Sequence, residues 1–296
     1  MRSFRDPDDV QGALESVRYL ADEEIATTLF LAHRLGKPLL LEGPAGTGKT
    51  QLAVSAAEAL GARLIRLQCY EGLDEGKVLY EWNYRRQLLR IQVEKQEFPN
   101  GGAGEDAWGS MVSNIFAEEF LLARPLLEAI RSPDPVVLLI DEVDRVEMET
   151  EALLLEVLSE YQVSIPELGT VHAAQIPLVI LTSNGTRDLS EALKRRCLYL
   201  FLDYPTRERE RAIVLQKVDG VDERLATEVV RVVALLRTLD LQKVPSVSET
   251  LDWARTLLVL GIDHADVVGT RRTLNTLLKY QSDLDLVRSE LDTLLD

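Results

Sequence analysis

Cysteine is nearly absent from this chain: of 296 residues only Cys69 and Cys197 carry a thiol, far apart and in no Cys-x-x-Cys arrangement. Each lies in an apolar, strand-like run, where a small buried thiol is the plain reading. Histidine is almost as scarce. His33, His172 and His264 are spaced too irregularly for a metal-ligand cluster, so no metal site built from protein side chains alone is expected. Long apolar stretches are missing too. No window approaches the ~18 apolar residues needed to span a bilayer, and the opening MRSFRDPDDV lacks the apolar core of a signal peptide. The expected location is cytoplasmic, with no membrane partner. Positive charge is the last shortage, with 33 Lys and Arg against 49 Asp and Glu and a formal net charge of -16. Such a surface repels nucleic-acid phosphates and anionic lipid within a Debye length, ~8 Å in physiological salt, which disfavours nucleic acid as a partner.

What is present is an ordinary globular composition, 46% hydrophobic and 28% charged, in a chain long enough for one large domain or two. Five short apolar runs, Pro38–Leu41, Arg63–Tyr70, Val136–Ile140, Leu178–Leu181 and Leu198–Leu202, read as buried parallel strands. Between them Gly48–Leu60, Asp74–Ile91, Ile115–Ile130 and Val146–Ser159 carry apolar residues at helical spacing. The pattern predicts a three-layer α/β core with a five-stranded parallel sheet. Two stretches interrupt the alternation: the polar, glycine-rich Phe98–Ser110 reads as an insert, and Tyr161–Gln175 has a hairpin's composition around Pro166-Glu167-Leu168-Gly169. After residue 204 no strand follows, only amphipathic stretches. The expected organisation is an α/β core over 1–204, with the insert near 98–110 and the hairpin over 161–175, and an all-helical lid over 205–296.

Residues 43–50 read Gly-Pro-Ala-Gly-Thr-Gly-Lys-Thr, directly after the first strand. Glycines at this spacing let backbone N–H groups curl around phosphate oxygens while the following helix presents its positive end to the same anion. Gly43, Pro44, Ala45, Gly46, Thr47, Gly48, Lys49, Thr50 and Gln51 form the candidate ATP-binding segment. Lys49 is placed to reach the β- and γ-phosphates, and Thr50 to ligate Mg²⁺.

The run Val136–Ile140 delivers Asp141 and Glu142 at a strand's carboxyl end, where open α/β sheets bind their ligands. Asp141 would hold Mg²⁺ through its water shell, and Glu142 would polarise the attacking water. Asp144 either extends this acidic cluster or caps the helix that begins near Val146. Strand Leu178–Leu181 ends in Thr182-Ser183-Asn184. The Asn184 amide could bond the γ-phosphate and the lytic water, although Asn-Gly by itself is simply a turn. Lys194-Arg195-Arg196 closes a short helix. These cations either compensate the helix's negative end or supply an arginine finger to a neighbouring subunit, with Arg196 the first choice and Arg195 the second.

The ordered series Gly43–Thr50, Leu138–Glu142, Thr182–Asn184 and Arg195–Arg196, closed by a helical domain, resembles an AAA+ P-loop ATPase over nearly the whole chain. In that family these segments are Walker A, Walker B, sensor 1 and the arginine finger. The hairpin, the insert, Tyr19–Glu24 and Gly36–Gly43 resemble the MoxR group. Leu67–Asp74, Tyr80–Tyr84 and Pro245–Trp253 are similar to its CoxD-type branch, which assists maturation of the molybdenum-copper site of carbon monoxide dehydrogenase. The resemblance implies a hexameric ring chaperone with ATP and Mg²⁺, a von Willebrand factor A-domain partner and a metalloenzyme client. One departure stands out: where many MoxR relatives carry a sensor 2 arginine in Ser-Pro-Arg, this chain has Ser246-Val247-Ser248, leaving Lys243 or Arg255 as substitutes. Two other classes compete, a slow ATP-dependent switch or scaffold and, disfavoured by charge, a DNA-remodelling ATPase.

Overall fold

The computed structural model describes residues 3–97 and 116–295; the insert expected over Phe98–Ser110 lies outside them. Two helices that the strand-and-motif reading did not anticipate open the chain. Pro7–Ser16 has proline at its first turn and the Asp6 carboxylate accepting from Asp9 N–H at 2.8 Å, and Glu23–Leu35 carries glutamates in its first turn. Strand β1 (Leu39–Glu42) leads into the helix Lys49–Leu60, and β2 (Arg63–Gln68) follows.

The main sheet has five strands in the order β2-β5-β8-β1-β9, with β5 at Val136–Asp141, β8 at Leu178–Ser183 and β9 at Leu198–Phe201. It is a parallel sheet in an α/β core, followed by a helical C-terminal region. Strands β5 and β8 are buried at every position, which is why they read as unbroken apolar runs. At the sheet's edge β2 instead alternates, burying Ile65 and Leu67 and exposing Arg63, Arg66 and Gln68. Its parallel register sets Gln68 opposite Asp141, and that of β5 with β8 sets Ile140 opposite Leu181.

Two helices expected from periodicity are broken. Asp74–Ile91 contains a single turn at Glu75–Val78, strand β3 (Tyr80–Trp82) and a helix that starts only at Tyr84. Ile115–Ile130 becomes a 3₁₀ turn at Glu118–Phe120, strand β4 (Leu121–Ala123) and the helix Pro125–Arg131. Strands β3 and β4 pair antiparallel, Trp82 opposite Leu121. The Trp82 ring meets Tyr80 of its own strand and Phe116, ahead of the 3₁₀ turn, edge-on at 6.2 and 5.2 Å, so aromatic packing outweighs a helical period. Pro125 has no N–H to offer a helix interior and starts a new one. Residues 162–172 form a hairpin of β6 (Gln162–Ile165) and β7 (Gly169–His172), its outer strand largely exposed.

Contacts divide the chain into two compact units. The first comprises Leu31–Leu40 and Leu60–Tyr199, with a core built on Leu126, Leu127, Ile130, Leu138 and Ile140. The second comprises Phe4–Phe30, Leu41–Ala59 and Leu200–Asp296. It holds the helices Arg207–Lys217, Glu223–Leu236, Val247–Val259, Val267–Leu277 and Gln281–Leu295, whose apolar stripes pack around fully buried Trp253. The Trp253 indole donates to Thr273 Oγ1 at 2.7 Å, and Arg237 makes a bidentate pair with buried Glu210 at 2.6 and 2.8 Å. Among the described residues no helix is long and apolar enough to cross a membrane.

Candidate nucleotide site

In the second unit the loop after β1 owes its path to glycines. Gly43, at φ 148°, packs so tightly that an added Cβ would sit 2.1 Å from the Leu202 carbonyl oxygen. Gly46, at φ 77°, leaves the same 2.1 Å between such a Cβ and Ser246 Oγ. No other residue fits either place without displacing backbone or a helix cap. The Lys49 ammonium is buried and donates to the Gly43 and Pro44 carbonyls, both at 2.7 Å, so it lies within the loop's own curve. Thr47 Oγ1 donates to the Pro44 carbonyl at 3.0 Å and stiffens the turn.

Beside this loop lies a cavity of about 470 Å³ whose walls include Tyr19, Leu20, Gly48, Gln51, Ile213 and Leu251. That is a size suited to a nucleoside-sized ligand. Arg209 fixes one wall, donating to the Leu20 carbonyl at 2.9 Å and pairing with Asp22. Burial pushes the Tyr19 phenol above its ordinary range, so it stays a neutral hydroxyl. The Arg255 side chain also lines the cavity, whereas Lys243 is not among its lining residues and pairs with Glu249 at 3.2 Å. Ser246 caps the helix Val247–Val259 in a capping box with Glu249.

In the first unit β5 and β8 deliver the acids and amide. Asp141 is 2% exposed. Its Oδ1 accepts from Thr182 Oγ1 at 2.5 Å and its Oδ2 from Arg66 Nη2 at 2.5 Å. Glu142 follows in the left-handed region at φ 58°, a conformation its own N–H secures by donating to Thr182 Oγ1 at 2.9 Å. This twist turns its carboxylate to Arg145 Nε at 3.0 Å, Gln68 Nε2 at 3.3 Å and Asn184 Nδ2 at 3.5 Å. Asp144 does not cap the following helix, whose N-cap is Glu147. It accepts from Asn184 N–H at 3.2 Å and from the Thr186 N–H and hydroxyl at 2.9 and 2.6 Å. Desolvation tends to raise the Asp144 pKa, but these bonds outweigh it and hold the carboxyl below the usual range. Asp144 thereby ties the turn carrying Asn184 to the end of β5.

Residues 38–197, more than half of the chain, match the family model described as the AAA domain of the dynein-related subfamily. The chain belongs to the AAA ATPases. Its similar proteins include uncharacterized proteins of Staphylococcus haemolyticus, 24% identical over 92% of this chain and 96% of theirs, and of Staphylococcus epidermidis, 26% identical over 85% of each. A Staphylococcus aureus protein is 25% identical over 78% of this chain and 82% of its own.

In this AAA ATPase the candidate finger residues stand on the last turn of the short helix Glu191–Arg196, whose N-cap is Ser190. Both are exposed: Arg195 pairs loosely with Glu191 at 3.7 Å, and Arg196 donates to the Ala192 carbonyl at 3.3 Å. Glu151, 2% exposed, anchors the helix by accepting from Ser190 N–H at 2.8 Å and Arg187 Nη2 at 2.7 Å. Burial pushes the Cys69 and Cys197 thiols to about 12, which removes both as nucleophiles. Sequence reasoning missed Arg66, Gln68 and Arg145. The available signal was the alternation on β2, where polar side chains at 66 and 68 share the face that meets the acids of β5.

Proposed function

We propose that this AAA ATPase binds ATP with Mg²⁺ at Gly43–Thr50, hydrolyses it with Glu142 as general base, and uses the cycle to remodel a protein client in the cytoplasm. The observation that carries the catalytic part is Glu142 itself. Held at positive φ beside a buried aspartate and within reach of the Asn184 amide, it is placed to polarise water rather than to brace the fold. The residues fit the cofactors. Gly43 and Gly46 give the loop the positive-φ path by which backbone N–H groups can converge on phosphate, and the Lys49 ammonium is held against the loop's own carbonyls. Thr50 and Asp141 offer hard oxygen donors of the kind Mg²⁺ takes, the nucleotide's phosphates completing its shell. Mg²⁺ would neutralise charge developing on those phosphates. Lys49 would bind the β- and γ-oxygens, Asn184 would orient the lytic water, and Arg196, with Arg195 in support, would act on a neighbouring subunit's nucleotide in a hexameric ring.

The client reading is supported by the resemblance to MoxR chaperones and by the exposed outer strand Gly169–His172 of the hairpin, a surface available for coupling. A metalloenzyme awaiting cofactor insertion, served with a von Willebrand factor A-domain partner, is the client class that follows from the CoxD-type likeness. The test is steady-state phosphate release by the purified protein with and without such a pair. ATP turnover that the client stimulates supports the reading, and turnover blind to every candidate client rules out remodelling.

One observation favours a second reading, a slow ATP-dependent switch. Ser246 and Ser248 stand nearest Gly46, where a sensor 2 arginine would otherwise be expected. Arg255 lies nine residues beyond the Ser246 cap, ~13 Å along the helix, and its side chain reaches the cavity wall rather than the place beside Gly46 that the serines hold. Turnover far slower than one per minute, with tight nucleotide retention, would favour the switch. A DNA-remodelling role predicts salt-sensitive DNA retention in filter binding.

A further inference from the structure

We propose that Arg66 is a positioning residue for this ATPase: its guanidinium is the counter-ion that the metal-binding carboxylate of Asp141 holds until a divalent cation arrives. The proposal rests on the assignment of Asp141 to Mg²⁺ above. Arg66 lies on β2, opposite Leu139 in the parallel register, and its side chain runs along the strand to reach Asp141. A single nitrogen, Nη2, donates to Asp141 Oδ2 at 2.5 Å and to Gln68 Oε1 at 2.6 Å.

The two ends of this pair differ sharply in burial. The Asp141 side chain is 3% exposed and the Arg66 side chain 51%. A carboxylate that deep is costly without positive charge beside it, and the Arg66 guanidinium supplies such charge. A half-exposed arginine, by contrast, swings into water on its flexible stem at little expense. The guanidinium and the hydrated Mg²⁺ therefore compete for the charge of one carboxylate, and the arginine is the partner able to leave.

Arg66 also sets the Gln68 amide. With Oε1 committed to the guanidinium, the same amide presents Nε2 to Glu142 Oε2 at 3.3 Å. Asp141, Arg66, Gln68 and Glu142 thus form one relay along the edge of the sheet. A cation that displaces Arg66 from Asp141 leaves the Gln68 amide less fixed, while Arg145 Nε at 3.0 Å and the Asn184 amide at 3.5 Å still hold Glu142.

The experiment is a Mn²⁺ titration of the full-length protein saturated with ADP, read by electron paramagnetic resonance of free Mn²⁺. Arg66→Met should lower the Mn²⁺ midpoint about tenfold, and Arg66→Lys, which keeps a charge able to reach Asp141, should stay within about threefold of the parent. The Mg²⁺ midpoint for ATP turnover should move in the same direction. Arg66→Gln serves as a second neutral variant should the methionine chain fail to fold. An unshifted or raised Mn²⁺ midpoint in the folded neutral variants would overturn the proposal and leave Arg66 a structural pair. If the parent binds Mn²⁺ and ADP while the variants titrate alike, this inference alone is lost; a parent that binds neither overturns the ATPase assignment as well.

Discussion

Glu142 and Gly46 illustrate two ways in which a single residue matters here. Glu142 makes three polar contacts, yet none is needed to hold β5, whose six positions are buried by their own apolar neighbours. Glu142→Gln should therefore keep the fold and the affinity for a fluorescent ATP analogue while steady-state phosphate release falls at least ~100-fold. Undiminished release would remove Glu142 as the base. Gly46 is the opposite case. At φ 77° and with Ser246 Oγ where a side chain would begin, Gly46→Ala should destabilise the chain by about 1–3 kcal/mol in denaturant unfolding. Adding Ser246→Gly should recover the steric part of that loss, leaving the cost of the positive φ and of the weakened helix cap.

At the scale of elements, the helix Val247–Val259 depends on its first turn. Ser246 and Glu249 satisfy each other's backbone N–H groups, and Ser246→Ala should cost about 1 kcal/mol. Desolvation tends to raise the Glu249 pKa, but bonds from Ser246 and Lys243 outweigh it and leave it lowered. The ionised form is thus favoured by folding. Its contribution is present at neutral pH and is lost as pH falls below the ordinary glutamate range through the depressed folded value. Chemical denaturation of parent and Glu249→Gln between pH 7 and pH 3 should show the two stabilities converging as the solution becomes acidic. A constant gap would discount the box.

Elements also show what could be read from sequence. β5 and β8 were legible because burial on both faces confines their polar residues to the carboxyl ends, Asp141 and Thr182-Ser183, and leaves the rest an apolar run. β3 and β4 were not, because three residues each are too short for a period, and the Trp82–Phe116 contact that favours them joins distant stretches. The same limit hid Arg66 and Gln68. On β2 they resemble a solvated strand face, and only the register with β5 turns that face toward Asp141 and Glu142. The loop Gly43–Thr50 and the acids after β5 were recognisable because their chemistry is local in sequence.

For the whole molecule the decisive question is assembly. Arg195 and Arg196 are exposed on a helix that buried Glu151 holds in place, as suits groups offered to another subunit. Arg196→Ala and Glu142→Gln should each be nearly inactive alone. Mixed, they should recover measurable phosphate release, because intact Glu142 from one chain meets intact Arg196 from the other. Full turnover by assembled Arg196→Ala would exclude the finger role.

The indole of Trp253, enclosed in the helical core and bonded to Thr273, gives the molecule a native optical probe. Trp82 offers another in the first unit, where it is 8% exposed. With Trp82 and Trp108 replaced by phenylalanine, emission reports the second unit alone; with Trp253 and Trp108 replaced, it reports the first. Coincident melting of the two reporters would mean that the chain unfolds as one cooperative body, whereas separate midpoints would reveal a partly molten chain.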